Sequence, residues 1–585
     1  MPLPPVVLRI LLWLGITCLA GVAIYLSKPP AALGSDIAPS VFSAARAMAH
    51  LKNFADCPHP MGSEQNHRAR AYLESQLQAL GVEVRVEPGI GQSSRGRTGR
   101  VENIVGTFRG TGAKPAIMLV SHYDSVPGSP GAADDGAGVI TILETVRALN
   151  AGPSRAHDLI VLLTDGEEAG LLGASAFVAA HPHLAQDVGV AMNLEARGSS
   201  GPALMFETSE RNGRLIREFA RAAPYPVASS LMAFAYKLLP NDTDMTVFKR
   251  AGLNCLNFAF IETLQDYHTP RDCMETLDPR SVQHLGSNVL ALVRQFDKSS
   301  LDEGREPDLI YFNWLGSRIM VYPQWFAHLL NLLVFVLLAV ATLKGRAEKL
   351  FTLRGVVLGS SCFLALWITV SGAMVGTWNL LRFATGSRLL IGDTFGNQLL
   401  LLGFVLLGLA VGGLVLRICS RSIGRFEVAV GQLLAVAILS ALATYFSPGV
   451  SYIFVWVCLA GLCSLVISLC GERREFRPLL SFCAVVPAVL LFAPLISSLF
   501  IALQINPVSL LAIATLLSIG LGCTSPLVHF LFEPVRRTVP LLLFASLLFL
   551  IGGKLLSPPT AGILPGRLVP HEAQPAPRPR SEANL

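Results

Sequence analysis

From Trp325 to about Leu556 the chain is a series of long apolar runs separated by short loops, and this limits its fold more than any other feature. Runs of roughly 18 or more apolar residues are long enough to cross a bilayer as helices, the one open-ended element whose backbone groups are satisfied internally. The runs fall at about 325–343, 355–380, 397–418, 427–446, 452–470, 479–502, 508–532 and 540–556. An earlier run, Ile10 to Leu26, is followed by no convincing small-x-small cleavage site and reads as a retained anchor. About nine spans are therefore expected, the anchor within 1–39 and about eight helices within 325–556.

Basic residues set the orientation. Lys344, Arg346, Lys349 and Arg354 follow the second span; Arg417, Arg421 and Arg425 the fourth; Arg473, Arg474 and Arg477 the sixth; Arg536 and Arg537 the eighth. The alternate loops near Ser447 and Gln504 carry no Lys or Arg, and the third has only Arg382 and Arg388. By the positive-inside rule the basic loops face the cytoplasm, and residues 40–300 lie on the opposite side. The net charge of +6 is thus largely topological and gives no reason to expect nucleic acid as a partner. Segment 301–324 reads as a linker, and 557–585, rich in Pro and Ala, as a disordered tail. Of eleven cysteines only Cys57, Cys255 and Cys273 fall in the exposed part; Cys255 and Cys273 could pair, or all three could be buried thiols.

The exposed part alternates strands with helices. SAARAMAHLKNFA and HRARAYLESQLQALG have helical spacing, the second ended by Gly81. VEVRVEP, ENIVGTFRG, PAIMLVSHYDS, DLIVLLTDGEE, VGVAMNLEARG and NCLNFAFIE read as strands, with helices in AGVITILETVRALNAG and GLLGASAFVAAH. GQSSRGRTGR reads as a solvated loop. Continuous apolar strands between helices predict an α/β domain with a mostly parallel mixed sheet covered on both faces.

Ligands of such sheets bind outside the carboxyl ends of the strands. There stand His122 and Asp124, then Asp134 and Asp135, then Asp165, Glu167 and Glu168, then Glu195, and finally Glu262, Asp266, Tyr267 and His268. Two imidazoles with several carboxylates and no thiolate form an oxygen-and-nitrogen donor set that suits zinc, with manganese or cobalt possible. One carboxylate shared by two ions would hold them roughly 3.5–4 Å apart, and another kept off the metals could move a proton. Adjacent Glu167 and Glu168 can divide those tasks. Each histidine alone is better explained as a structural residue; it is the assembled set that points to metal.

His122-Tyr-Asp124, Gly131-Ala-Ala-Asp134-Asp135-Gly-Ala-Gly138, Glu167-Glu168, Asn193-Leu-Glu195 and Tyr267-His268-Thr-Pro-Arg-Asp272 occur in the order and rough spacing of the co-catalytic di-zinc aminopeptidases, a family that includes glutamate carboxypeptidases. The upstream PHPMGSEQN is similar too. The resemblance covers about 45–297, and with the apolar second half the chain most resembles the membrane-embedded branch of endoplasmic-reticulum metallopeptidases and vacuolar membrane proteases. It implies a zinc-exopeptidase fold and two zinc ions. His122 and His268 would each hold one ion, Asp134 would bridge them and precede a cis peptide to Asp135, and Glu168 and Glu195 would each complete one ion. It further implies Glu167 as general base, and Asp124 as the partner of the other ring nitrogen of His122. The chain departs from many relatives at Asn241-Asp242-Thr243-Asp244, which leaves the roles there open.

A membrane-bound zinc exopeptidase, most plausibly an aminopeptidase acting on peptides or proteins, is the expected activity. The alternatives are a catalytically silent or transport-linked receptor domain on a membrane bundle, or a single-zinc enzyme resembling glutaminyl cyclases. The near absence of ionisable residues within the spans speaks against transport. Compact basic loops suit a bacterial inner membrane with a periplasmic catalytic domain, the alternative being a vacuolar or reticulum membrane with a lumenal one. Nothing in the sequence sets an oligomeric state.

Overall fold

Seven strands between Glu83 and Phe260 form one sheet in the computed structural model, which describes residues 4–239, 241–301, 304–385, 394–470, 477–533 and 535–556. They are β1 (Glu83–Gln92), β2 (Thr98–Phe108), β3 (Ala113–His122), β4 (His157–Thr164), β5 (Val188–Ala196), β6 (Leu204–Thr208) and β7 (Cys255–Phe260). Their order is β1-β2-β4-β3-β5-β7-β6. The middle four, β4, β3, β5 and β7, run parallel, while β1, β2 and β6 add antiparallel edges. The parallel strands are the continuous apolar runs because both faces are covered. Ile117 and Leu119 of β3 join the core under the helices Gly136–Asn150 and Pro279–Phe296. Met118 and Val120, pointing the other way, pack with Phe177 and Phe248 of the helices Leu172–Ala180 and Asp244–Arg250.

Three local expectations are corrected. The stretch GQSSRGRTGR, expected as a solvated loop, is half strand: β1 extends to Gln92, β2 starts at Thr98, and a turn about Ser93 and Gly96 joins them. The first helical segment is short, Ala44–Met48 followed by a 3₁₀ turn at Leu51–Asn53. The presumed linker carries a hairpin, β8 (Leu309–Leu315) and β9 (Arg318–Pro323). Its Phe312 stacks on Tyr452 of a membrane helix, with ring centroids 4.3 Å apart. Cys255 and Cys273 are both free thiols. Cys255 starts β7 and Cys273 follows the loop beyond its far end, so a six-residue strand, roughly 20 Å long, stands between them. That exceeds disulfide reach.

Among the described residues, eight helices are long and apolar enough to cross a membrane: Pro5–Tyr25, Gln324–Ala347, Leu353–Ala384, Phe395–Ser422, Arg425–Phe446, Tyr452–Leu469, Leu480–Leu503 and Arg536–Leu556. The remaining expected span, 508–532, is instead two helices, Pro507–Cys523 and Ser525–Leu531, bent by 88°. Pro526 explains the break, since proline lacks an N–H and disfavours helical backbone in the residue before it. Thr524 at the corner returns its hydroxyl to the Gly520 carbonyl, 2.6 Å away. Beyond the bend, Arg9 of the first helix donates to the Phe530 carbonyl at 2.9 Å and pairs with Glu533. The bent pair therefore ends level with the amino-terminal end of the first helix. The tail 557–585 and the basic residues Arg388, Arg473 and Arg474 lie outside the described residues.

The helix Pro279–Phe296 buries His284, whose Nδ1 accepts from the Ala203 N–H at 3.1 Å while Nε2 donates to the Tyr225 carbonyl at 2.6 Å. Burial pulls this imidazole down to about 4, against the upward effect of the Tyr225 carbonyl. Between about 4 and the unfolded value near 6.5 the unfolded chain binds the extra proton, so stability falls as pH drops through that window. The thermal midpoint of the purified chain is expected to decline from pH 6.5 to 4, and less steeply for His284→Gln. Equal slopes would remove His284 as the cause.

Candidate metal centre

The carboxyl ends of the four parallel strands bring the expected residues to one rim. His122 is the last residue of β3, Glu195 lies in β5, and Glu167 and Glu168 follow β4 after a Gly166 turn at φ +72°. Asp134 lies in the loop before the helix Gly136–Asn150, and His268 follows β7. Two clusters result, each with its donor atoms within 4.8 Å of one another: His122, Asp134 and Glu195, and Asp134, Glu168 and His268. Asp134 belongs to both. Its Oδ1 is 3.2 Å from His122 Nε2 and its Oδ2 is 3.0 Å from His268 Nε2. Glu168 Oε1 is 3.0 Å from the same His268 nitrogen.

His122 Nδ1 lies 2.9 Å from the backbone carbonyl of Asp124, which can only accept. With its proton on Nδ1, the neutral ring presents a lone pair at Nε2, facing the carboxylate oxygens of Asp134 and Glu195. Lone pairs converging from an imidazole and two carboxylates fit a divalent cation between them. The second cluster fits equally: Glu168 Oε1 is buried and faces only His268 Nε2, 3.0 Å away, among the described residues.

The Asp124 carboxylate lies 3.5 Å from His122 Nδ1, on the expected side of the ring, and also accepts from the backbone N–H groups of Glu167 at 3.0 Å and Glu168 at 3.4 Å. It thus orients the two glutamates, while its main chain orients the histidine. Asp135 accepts from the Gly138 N–H at 3.2 Å, capping its helix, and pairs with the Ser121 hydroxyl. The Asp134–Asp135 peptide is cis. Asp165 holds Asn66 at 3.2 Å and the Glu102 N–H at 3.1 Å, outside both clusters. Glu262 and Asp266 also stand outside them; Asp266 accepts from Ser199 at 2.6 Å and pairs with Arg271. Tyr267 stacks on the His268 ring with centroids 3.8 Å apart.

Two supporting residues were not singled out by the sequence. Asp272 accepts from the backbone N–H groups of Ala133 at 2.6 Å and Asp134 at 3.2 Å, so it grips the loop that carries the shared carboxylate. Asp244 is buried and accepts from the Thr164 hydroxyl at 2.5 Å, at the end of β4. Both stood in the quoted motifs, but spacing alone carries no sign of what backbone they would meet.

Electrostatics agree with an uncompensated anionic site. Burial pushes Glu167 well up, with Glu195, Glu168 and Asp244 adding to it and His122 opposing. Burial likewise raises Glu195 well up and Glu168 to about 7, both reinforced by Asp134. Burial acts upward on Asp134 too, but the two imidazoles overcome it and hold it low. Burial works against His268, yet Asp134 and Glu168 lift it to about 10. Crowded buried carboxylates with only two imidazoles among them are costly unless positive charge is supplied.

The chain matches the model of peptidase family M28 over residues 103–293. It is similar to the vacuolar membrane protease of Candida albicans (strain WO-1), 34% identical over 271 residues that make up 46% of this chain and 31% of that protein. It is also similar to endoplasmic reticulum metallopeptidase 1 of Mus musculus, 33% identical over 231 residues, 38% of this chain and 26% of that one. The chain spans between about a quarter and a third of the length of these curated relatives. Among solved structures, an aminopeptidase from Aneurinibacillus sp. strain AM-1 aligns with 44% of this chain and 94% of its own, at 15% identity and a TM-score of 0.37. With its apolar helices the chain is an integral membrane protein.

Asp272→Asn keeps the size of the side chain but weakens its hold on the Asp134 loop. Metal affinity is expected to fall roughly 10–100-fold, as for other partners that orient metal-binding groups, measured by chelator competition. Unchanged affinity would mean that Asp272 serves the fold alone.

Proposed function

We propose that this protein is a membrane-bound zinc metalloexopeptidase of the aminopeptidase type, with two zinc ions held through Asp134. His122 and Glu195 hold one ion and His268 and Glu168 the other. The observation that carries this reading is the shared carboxylate: Asp134 alone belongs to both donor clusters, while Glu167 belongs to neither. When bound, such a metal pair supplies Lewis acidity to a peptide carbonyl and acidifies a water. Glu167, adjacent to a ligand but free of both clusters, takes the proton of the attacking water and delivers it to the leaving amine. Asp124 keeps Glu167 in place through its backbone N–H.

The choice of the amino end rests on the resemblance of His122, Asp134, Glu168, Glu195 and His268, in order and spacing, to the co-catalytic di-zinc aminopeptidases. The positive-inside pattern puts the peptidase part on the non-cytoplasmic side, and we favour a bacterial inner membrane with this part in the periplasm.

Glu167→Gln is expected to lower turnover of aminoacyl-nitroanilides by roughly 10²–10⁴-fold, the range for loss of a general base, with the zinc content by elemental analysis unchanged. Full turnover in this variant would dismiss Glu167 as the base. An isolated wild-type chain that holds zinc but releases only carboxyl-terminal residues from a peptide library would reverse the direction proposed.

A further inference from the structure

The short helix Ser230–Tyr236 stands between the membrane bundle and the metal-bearing sheet. At its start the Ser230 hydroxyl donates to the Gly449 carbonyl at 2.6 Å, in the loop between the membrane helices Arg425–Phe446 and Tyr452–Leu469. The helix therefore begins level with the ends of two spans. Turns carry its coil on past Tyr236, since the N–H groups of Leu238 and Leu239 donate to the Ala235 and Tyr236 carbonyls at 3.0 Å each. Leu231, Phe234 and Leu238 thus fall at i, i+3 and i+7, on one stripe of the coil. Leu231 packs against the apolar core of the membrane bundle. Tyr236, on the opposite side of the coil, packs edge-on against Phe206 of β6, with ring centroids 4.7 Å apart. The stripe is turned away from the sheet and towards the bundle, yet beyond Leu231 it stays uncovered: Phe234 is 39% exposed and Leu238 73%, with Leu239 exposed beside them.

A single exposed leucine calls for no explanation, but this stripe begins where the bilayer ends. Tyr25 closes the first span, Trp325 stands at the start of the second, and Tyr445 and Phe446 close the span before the Gly449 loop; all four are exposed. Such rings gather at the membrane–water boundary. These span ends face the peptidase part, because the chain leaves the bundle after Tyr25 and re-enters it at Gln324, and Ser230 is bonded only three residues beyond Phe446. The apolar stripe continues the boundary that the aromatic residues mark.

The same segment leads to the metal centre. Asp244, six residues after Leu238, accepts from the Thr164 hydroxyl at 2.5 Å, and Thr243 accepts from the Asn257 side chain at 2.9 Å. Thr164 ends β4, just before the loop of Glu167 and Glu168. Six residues of chain reach no further than about 22 Å, so the rim stands close above the stripe.

We infer that Phe234, Leu238 and Leu239 form a lip that dips into the lipid leaflet on the peptidase side, so that the metal centre takes peptides lying on that leaflet, amphipathic or lipid-tethered chains with a free amino end. The substrate class rests on the peptidase reading of the metal centre; the seating of the lip in lipid does not. Burying leucine-sized side chains at the acyl boundary is favourable, and the helix that presents them is already fixed at Ser230. A peptide confined to the same plane is concentrated at the rim without any new contact.

Two measurements on the full-length chain in lipid nanodiscs test this. In the first, Leu238→Trp adds an indole at the lip, and its emission is compared with the wild type in discs of ordinary phosphatidylcholine and of phosphatidylcholine dibrominated near the headgroup end of its acyl chains. The expected result is emission shifted to the blue, with a loss of fluorescence in the brominated discs beyond that of the wild type. Emission typical of an indole in water, with no added loss, overturns the proposal. A blue shift without added loss overturns it too, and in discs that hold two chains it assigns the stripe to a second copy. In the second measurement, Leu238→Glu is assayed on a soluble aminoacyl-nitroanilide and on a peptide with the same amino-terminal residue and a palmitoyl group at its carboxyl end. The kcat/KM for the palmitoyl peptide is expected to fall roughly 10–100-fold, the scale of burying one leucine side chain, with the nitroanilide within about twofold. An equal fall on both substrates, or none on either, overturns the proposal. A wild type that binds zinc but cleaves neither substrate defeats the peptidase reading, while the quenching result still decides whether the lip sits in lipid.

Discussion

One buried carboxylate stands between two imidazoles, and much of the peptidase part is arranged to keep it there. Asp134 reaches His122 with one oxygen and His268 with the other. The two histidines come from distant stretches of chain: one ends β3, just before the loop that carries the carboxylate, and the other lies beyond β7. A buried anion of this kind is tolerated only if the groups around it are pre-placed. Asp272 supplies that for the Asp134 loop, and Asp124 supplies it for the His122 ring and the glutamate pair. The supporting residues satisfy backbone N–H groups as much as side chains. This is why the rim is held as one piece.

The peptidase part and the membrane bundle are joined through more than a tether. The β8–β9 hairpin leans on the bundle through Phe312 and Tyr452, and the Ser230 helix is hydrogen-bonded to the loop at Gly449. Both contacts lie between the metal-bearing sheet and the first residues of the membrane helices. A bundle that docks a helix of the peptidase part has a structural task beyond anchoring, although its apolar spans carry few ionisable residues. The bent pair at Thr524 adds a local irregularity deep in the bundle, tolerated because it is packed inside protein.

What could be read from the sequence was whatever repeats locally. The apolar runs of the spans, the strand cores of β3, β4, β5 and β7, and the placing of polar residues just after them follow from short-range periodicity. The short edge strand β6 and the β8–β9 hairpin did not stand out, because their stability comes from neighbours distant in sequence: β6 pairs with β7, and the hairpin packs against a membrane helix. The break at Thr524 was hidden inside a continuous apolar run, although Pro526 was a local sign of it. Asp124 stood beside His122 in the sequence, but that its carboxylate also accepts from the backbone of the glutamate loop could not be read there. The path of a backbone turn decides which atom of a residue meets which donor, and no spacing rule encodes that.

The sequence by itself determined that the chain crosses a membrane many times, that an α/β part is set between its first two spans, and that an oxygen-and-nitrogen donor set gathers at one end of the strands. These follow from hydrophobic periodicity and from the rule that polar residues after parallel strands share a rim. Only the tertiary structure decided that the donors divide into two clusters with one carboxylate in common and that Glu167 is left outside both. Those outcomes depend on distances between residues up to about 130 positions apart. Such distances are set by strand order and helix packing, which no local pattern records.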